Sequence, residues 1–263
     1  SRMSAARLPV VMIHGAFCGG WAFAHWRAIF EANGFAVHLP TLRLHDCGRH
    51  PPDVLGTTSL LDYAADMEKL LDKIGKPAFL IGHSMGGLLA QMLAARRSDI
   101  RGVACMAPSA PYGVLPSTPF EIASAQALYL AGEFWKHPLV PDRGIAFANA
   151  LDRLSDKERA EIFAHFVPES GLATFEIMHW PMDAKRASSV DAARVTCPVL
   201  CLTGARDRLN PPGTVRSIAR RYRALGHFEE VPQHSHWLIG EPGWEKIARR
   251  VMDFFAQAAE RAA

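Results

Sequence analysis

Gly82-His83-Ser84-Met85-Gly86-Gly87 is the stretch that decides the reading of this sequence. It has the form G-x-S-x-G. An apolar run, Pro77–Gly82, precedes it, and a stretch of helical spacing from Met85 to Arg97 follows. A strand that ends in a sharp turn and restarts as a helix lifts the central serine off the end of a sheet. The flanking glycines leave room for the crowded backbone. A glycine-rich turn without chemistry would account for the glycines but not for the strand before and the helix after.

Working outward, apolar runs alternate with amphipathic stretches, the pattern of a parallel sheet covered by helices. Strands are expected at Leu8–Ile13, Phe35–Leu39, Pro77–Gly82, Ile100–Met106 and Pro198–Thr203. Each is short, apolar and bounded by turn residues, as in strands buried on both faces. A sixth, Gly226–Val231, carries Glu229 and Glu230 and fits an edge. Leu60, Ala64, Met67, Leu71 and Ile74 repeat at helical spacing, with Gly75 placed to end the helix. A last helix is expected to start at Pro242 and to carry the stripe Trp244, Ile247, Val251, Phe254 and Ala258.

One segment, 111–194, breaks the alternation and shows no convincing strand. It opens among Pro108, Pro111, Pro116 and Pro119, then turns helical, with Ser155-Asp156-Lys157-Glu158 as a capping box. The expected organisation is therefore a core of 1–110 and 195–263, with 111–194 as a helical cap. Its aromatic residues either roof a site or pack the cap's own interior. Trp135 and Trp180 are the candidates for pocket walls.

The 263-residue length suits one large α/β domain, and 49% apolar residues suffice for a sizeable core. A net charge of +3, without a strongly basic face, points to a small molecule rather than nucleic acid as partner. No apolar run is long enough to span a membrane, and Ser1–Pro9 lacks the apolar core of an export signal. Cys18, Cys47, Cys105, Cys197 and Cys201 are odd in number and mostly set in apolar segments, so reduced thiols and a cytoplasmic location are expected. No metal-ligand spacing is present, and no cofactor is implied.

A serine hydroxyl is a weak nucleophile and needs a base, which in turn needs an orienting acid. Asp207 follows the strand Pro198–Thr203, at the sheet edge where sites of parallel sheets collect. Its alternative is a solvated acid paired with Arg206 or Arg208. The strand ending near Met106 is followed by Ala107, Pro108 and Ser109, with no carboxylate. Gln233-His234-Ser235-His236-Trp237 offers two bases. His236 is preferred because Trp237-Leu238-Ile239 can fix it, which leaves His234 to the pocket rim. The oxyanion donors are expected to be the amides of Met85 and of Ala16, with Phe17 as the second choice in that loop and a candidate substrate contact. His14 reads as a tie for the loop, and Cys18 has no second base to make it a nucleophile.

Together these motifs resemble the α/β-hydrolase superfamily over nearly the whole chain. His14-Gly15-Ala16-Phe17-Cys18-Gly19-Gly20-Trp21 looks most like the loop of plant methyl-ester esterases and their relatives, the hydroxynitrile lyases. The resemblance implies Ala16 and Met85 as oxyanion donors. The lyases typically have threonine where Gly15 stands and lysine where Trp237 stands, and both departures favour ester hydrolysis. Ser84 excludes the branches that use an aspartate nucleophile. The expected activity is hydrolysis of a small, partly apolar carboxylic ester. Other serine-triad chemistries (C–C hydrolysis, lactone opening, peroxidation, a lyase reaction) and a ligand receptor on the same scaffold remain as alternatives.

Overall fold

Neighbouring residues along the central strands belong to opposite faces of one sheet, and this places the core. In the computed structural model, which describes residues 8–262, β1 (Pro9–Ile13), β3 (Ala78–His83), β4 (Ile100–Met106) and β7 (Val199–Gly204) are buried almost throughout. Val10, Met12, Phe79, Ile81, Ala104, Met106, Leu200 and Leu202 join one apolar cluster. Val11, Ile13, Leu80, Val103, Cys105, Val199 and Cys201 join the other. The period of two is the pleat itself. The near-continuous apolar runs of the sequence are its consequence, because both faces are covered.

Six strands pair in parallel in the order β2-β1-β3-β4-β7-β8, with β2 at Ala36–His38 and β8 at Gly226–Val231. β8 is an edge strand, as its glutamates indicated. Helices α1 (Ala24–Ala32) and α8 (Trp244–Ala262) cover one face: Trp26, Phe30, Val251, Phe254 and Phe255 pack there, and Phe79 stacks on Phe255 at 4.3 Å between ring centroids. Helices α2 (Leu60–Ile74), α3 (Met85–Arg96) and α7 (Pro212–Arg220) cover the other. α2 begins at a Ser59/Asp62 capping box and ends on Gly75 at φ +67°. α8 starts at Trp244 rather than Pro242. Glu241 and Gly243, held in the turns before it, delay the first regular turn.

Residues 107–198 connect the adjacent strands β4 and β7. Within them lie α4 (Pro119–Ala127), α5 (Asp156–Phe163) and α6 (Gly171–Met178). α5 starts at Ser155, whose hydroxyl accepts from the Glu158 amide. The expectation of a strandless segment needs correction. Pro138–Leu139 (β5) and Glu169–Ser170 (β6) form a short antiparallel pair. Two residues per strand is too short for any alternation to show in the sequence. Of the stretch Ser1–Pro9, residues 1–7 lie outside the described residues. Among the described residues no helix is long and apolar enough to cross a membrane. All five cysteines are free. Four are buried and Cys47 is exposed.

Candidate functional site

Parallel strands send their C-terminal ends to one edge, and the loops that leave β1, β3, β7 and β8 there carry the candidate residues. Ser84 directly follows β3 at φ 54° and ψ −119°, a conformation that costs a non-glycine residue energy and persists only when its surroundings enforce it. The enforcement is visible. The Ser84 amide donates to the Met106 carbonyl at 3.0 Å, and its own carbonyl accepts from Gly87, Leu88 and Ser109. A methyl group on Gly82 would overlap the Gly86 carbonyl, and one on Gly86 would overlap the Ile13 carbonyl. The elbow therefore needs glycine at both places. Ser84 is half-buried, and among the described residues its hydroxyl has no hydrogen-bond partner.

Asp207 and His236 meet. His236 Nδ1 donates to Asp207 Oδ2 at 2.9 Å. Asp207 Oδ1 accepts from the Leu209 and Asn210 amides at 2.8 and 2.9 Å. Asp207 is buried and is not a solvated partner of its flanking arginines; Arg208 lies over the Phe120 ring instead. The His236 carbonyl accepts from His83 Nε2 at 2.7 Å, and the buried run Trp237-Leu238-Ile239 follows it into the core. Burial lowers the His236 pKa, but the Asp207 charge and hydrogen bond outweigh it, so the net direction is upward. His234 Nδ1 bonds Glu241 at 2.9 Å, and so it is not the partner of Asp207.

Opposite the elbow, Leu42 donates to His14 Nε2 at 3.0 Å, which leaves His14 Nδ1 to donate to the Gly15 carbonyl at 2.8 Å. That carbonyl and the Ala16 N–H share one planar peptide unit, so the ring fixes the direction of the Ala16 amide. His14 is buried, and its pKa is lowered to about 3 by burial and by His45, so it stays neutral. Among the described residues neither the Ala16 nor the Met85 amide has a protein acceptor. Met85 is in the first turn of α3, where amides are free by helix geometry. The Phe17 amide is engaged, donating to Glu169 Oε1 at 3.3 Å, and this removes it as an oxyanion donor. The Phe17 side chain packs half-buried on the cluster that contains Phe166 and Trp237. The Cys18 thiol is buried and pushed up in pKa by that burial, which leaves it unreactive.

Trp135 and Trp180 are half-buried, and their ring partners lie within 111–194. Trp135 packs on Phe134, Phe175 and Tyr129, and Trp180 on Tyr112. Sequence reasoning missed Glu169 and His45, which meet beside the loop after β1 although 124 positions separate them. No local pattern could have joined them.

The sequence profile described as "Alpha/beta hydrolase family" matches residues 10–250. The chain is 30% identical over 234 residues to pimeloyl-[acyl-carrier protein] methyl ester esterase of Chromobacterium violaceum, covering 86% of each chain. It is 32% identical over 254 residues to the mouse sn-1-specific diacylglycerol lipase ABHD11, covering 89% of this chain and 76% of the lipase. In fold it is similar to the Arabidopsis methylesterase MES16, with a TM-score of 0.68 at 14% identity, covering 95% of this chain and 98% of that one.

Proposed function

The chain belongs to the α/β-hydrolase family and is a hydrolase, and from that premise we propose that it cleaves small, partly apolar carboxylic esters through an acyl-enzyme on Ser84. The observation that carries this reading is the His236–Asp207 pair at 2.9 Å, at the same sheet edge as the strained Ser84 turn. His236 takes the Ser84 proton on Nε2 as Oγ attacks the acyl carbon. Asp207 holds the proton of Nδ1 and stabilises the imidazolium. The free amides of Ala16 and Met85 receive the charge that develops on the acyl oxygen. His236 then protonates the departing alkoxide. A water molecule, deprotonated by the same ring, releases the acid and restores Ser84.

The Ser84–His236 hydrogen bond is expected to form with substrate bound, since such contacts often tighten only then. The apolar surface of Phe17 beside Ala16 supports an ester with an apolar part. Residues 111–194 serve as a cap on the core of 1–110 and 195–263, with Phe17, Trp135 and Trp180 bounding the substrate. The free thiols support a cytoplasmic site of action. Two relatives bear the names of a methyl ester esterase and a diacylglycerol lipase, both ester-cleaving.

The test is labelling with a fluorophosphonate probe and turnover of p-nitrophenyl esters. Ser84→Ala is expected to lose both while keeping the wild-type circular dichroism spectrum. Label on another serine, with Ser84→Ala still active, overturns the proposal.

A further inference from the structure

Glu169 is a fully buried carboxylate on β6, and four donors converge on it. Oε1 accepts from His45 Nε2 at 2.9 Å and from the Phe17 amide at 3.3 Å. Oε2 accepts from the Tyr63 hydroxyl at 2.5 Å and from the Ser170 amide at 2.8 Å. His45 Nδ1 faces the Arg43 carbonyl at 2.9 Å. Both His45 nitrogens thus face oxygens that only accept, so both carry protons and the ring is an imidazolium. Burial is the largest influence and opposes each charge, yet the partner's charge and the hydrogen bonds together outweigh it: Glu169 is shifted down and His45 up. A buried ion pair of this kind contributes little net stability compared with an apolar substitute, so its presence calls for a local reason.

The reason is at Phe17. This residue sits at φ 68°, a conformation that a bulky side chain rarely adopts. Its amide donates to Glu169, and its carbonyl accepts from the Val167 amide at 2.9 Å. Both backbone polar groups of this strained residue are therefore held by residues 167–169, which belong to the segment between β4 and β7. The preceding residue is Ala16. His14 fixes one side of Ala16 through the Gly15 carbonyl, and Phe17 fixes the other.

We infer that Glu169 is a positioning residue for ester cleavage: by pinning the Phe17 amide it aims the neighbouring Ala16 amide at the developing oxyanion. The donor site is then complete only when 167–170 is seated. The inference rests on the proposed reaction, in which Ala16 receives oxyanion charge. A purely structural Glu169 would cost stability and leave the chemical step alone.

The experiment compares wild type with Glu169→Gln and with Phe255→Leu, a substitution in the core packing of α8. Turnover is measured per active site, with sites counted by fluorophosphonate titration. A trifluoromethyl ketone, whose adduct on Ser84 presents an oxyanion, reports the donor site directly. Glu169→Gln is expected to lose about 10–100-fold in kcat at nearly constant KM, and ketone affinity should fall by a similar factor. A misplacement of about 1 Å, or partial loss of one donor, costs that much. Phe255→Leu is expected to lower Tm with kcat per site within about twofold of wild type. If Glu169→Gln does the same, with ketone affinity unchanged, the inference is overturned. If it yields no folded protein, His45→Gln is read in its place by the same criteria. A wild type unlabelled at Ser84 overturns the proposed reaction and this inference with it. A labelled wild type with an unaffected Glu169→Gln overturns the inference alone.

Discussion

Replacing Asp207 with asparagine removes one acceptor from a site that uses two. Asp207 Oδ1 serves the Leu209 and Asn210 amides, and Oδ2 serves His236. Asparagine has one oxygen. Turned toward the loop, it presents its NH2 to His236 Nδ1, which must then give up its proton to Nε2, the atom that has to accept from Ser84. Turned toward His236, it sets its NH2 against two backbone amides. One donor conflict is better than two, and an unmet buried donor costs about 1–3 kcal/mol, so the wrong tautomer is favoured by about that amount. Loss of the charged acceptor for the imidazolium adds about 1.5–3 kcal/mol. The sum, about 2.5–6 kcal/mol, corresponds to a fall in kcat of about 10²- to 10⁴-fold. The assay is p-nitrophenyl ester hydrolysis across pH, normalised to titrated sites. His236 must be neutral to act as base, and its pKa is raised by Asp207, so wild-type activity falls as pH drops through a value above the ordinary 6.5. In Asp207→Asn the residual activity should show that limb at lower pH. A variant within tenfold of wild type, or an unmoved limb, would refute the tautomer argument.

Two further outcomes are expected. Trp135→Ala and Trp180→Ala should change the preference between short and long acyl esters by about 10–200-fold while a small probe still labels Ser84 normally; lowered Tm with unchanged selectivity in both variants would make these residues packing for 111–194 alone. Glu176, which accepts from Ser59 Oγ and the Leu60 amide at the start of α2, has its pKa raised by burial to about 6. The stability tied to its neutral form is full below the ordinary value of 4.5 and is lost as pH rises through 6, so wild type should weaken relative to Glu176→Gln over that window. The change should be of the order of 1 kcal/mol after allowance for solvent screening, and parallel denaturation midpoints of the two proteins from pH 4 to 8 would contradict it.

The sheet was legible because burial on both faces writes itself as short apolar runs. The elbow was legible because its geometry is local: Gly82, Ser84 and Gly86 must sit two apart for the turn to close. That Asp207 and His236 come together followed from strand order, which brings the loops after β7 and β8 to one edge. What escaped was non-local or too short. The β5–β6 pair has two residues per strand. The His45–Glu169 contact joins distant loops and leaves no periodic trace. The first helical residue of α8 depends on the loop bonds around Glu241, which outweigh the preference of Pro242 for a first turn.

The seam between β4 and β7 has a consequence for how such a protein can be altered. The chain leaves the sheet after Met106 and re-enters at Val199, yet these strands are hydrogen-bonded neighbours, with Val103 opposite Val199 and Met106 opposite Leu202. Because the pair is parallel, the excursion leaves at one edge of the sheet and returns at the opposite edge, so it must be long enough to cross a face, and beyond that length the strand register does not depend on it. Doubling a flexible connection costs only about 0.6 kcal/mol in closure entropy. A foreign excursion grafted between these strands has to match several borders: Val167 to Ser170 against Phe17, His45 and Tyr63, Glu176 against Ser59 and Leu60, Glu121 against Thr214, and Asp152 against Ser235. A transplanted segment that meets the other borders but lacks an acceptor for the Phe17 amide would leave the loop after β1 unsupported.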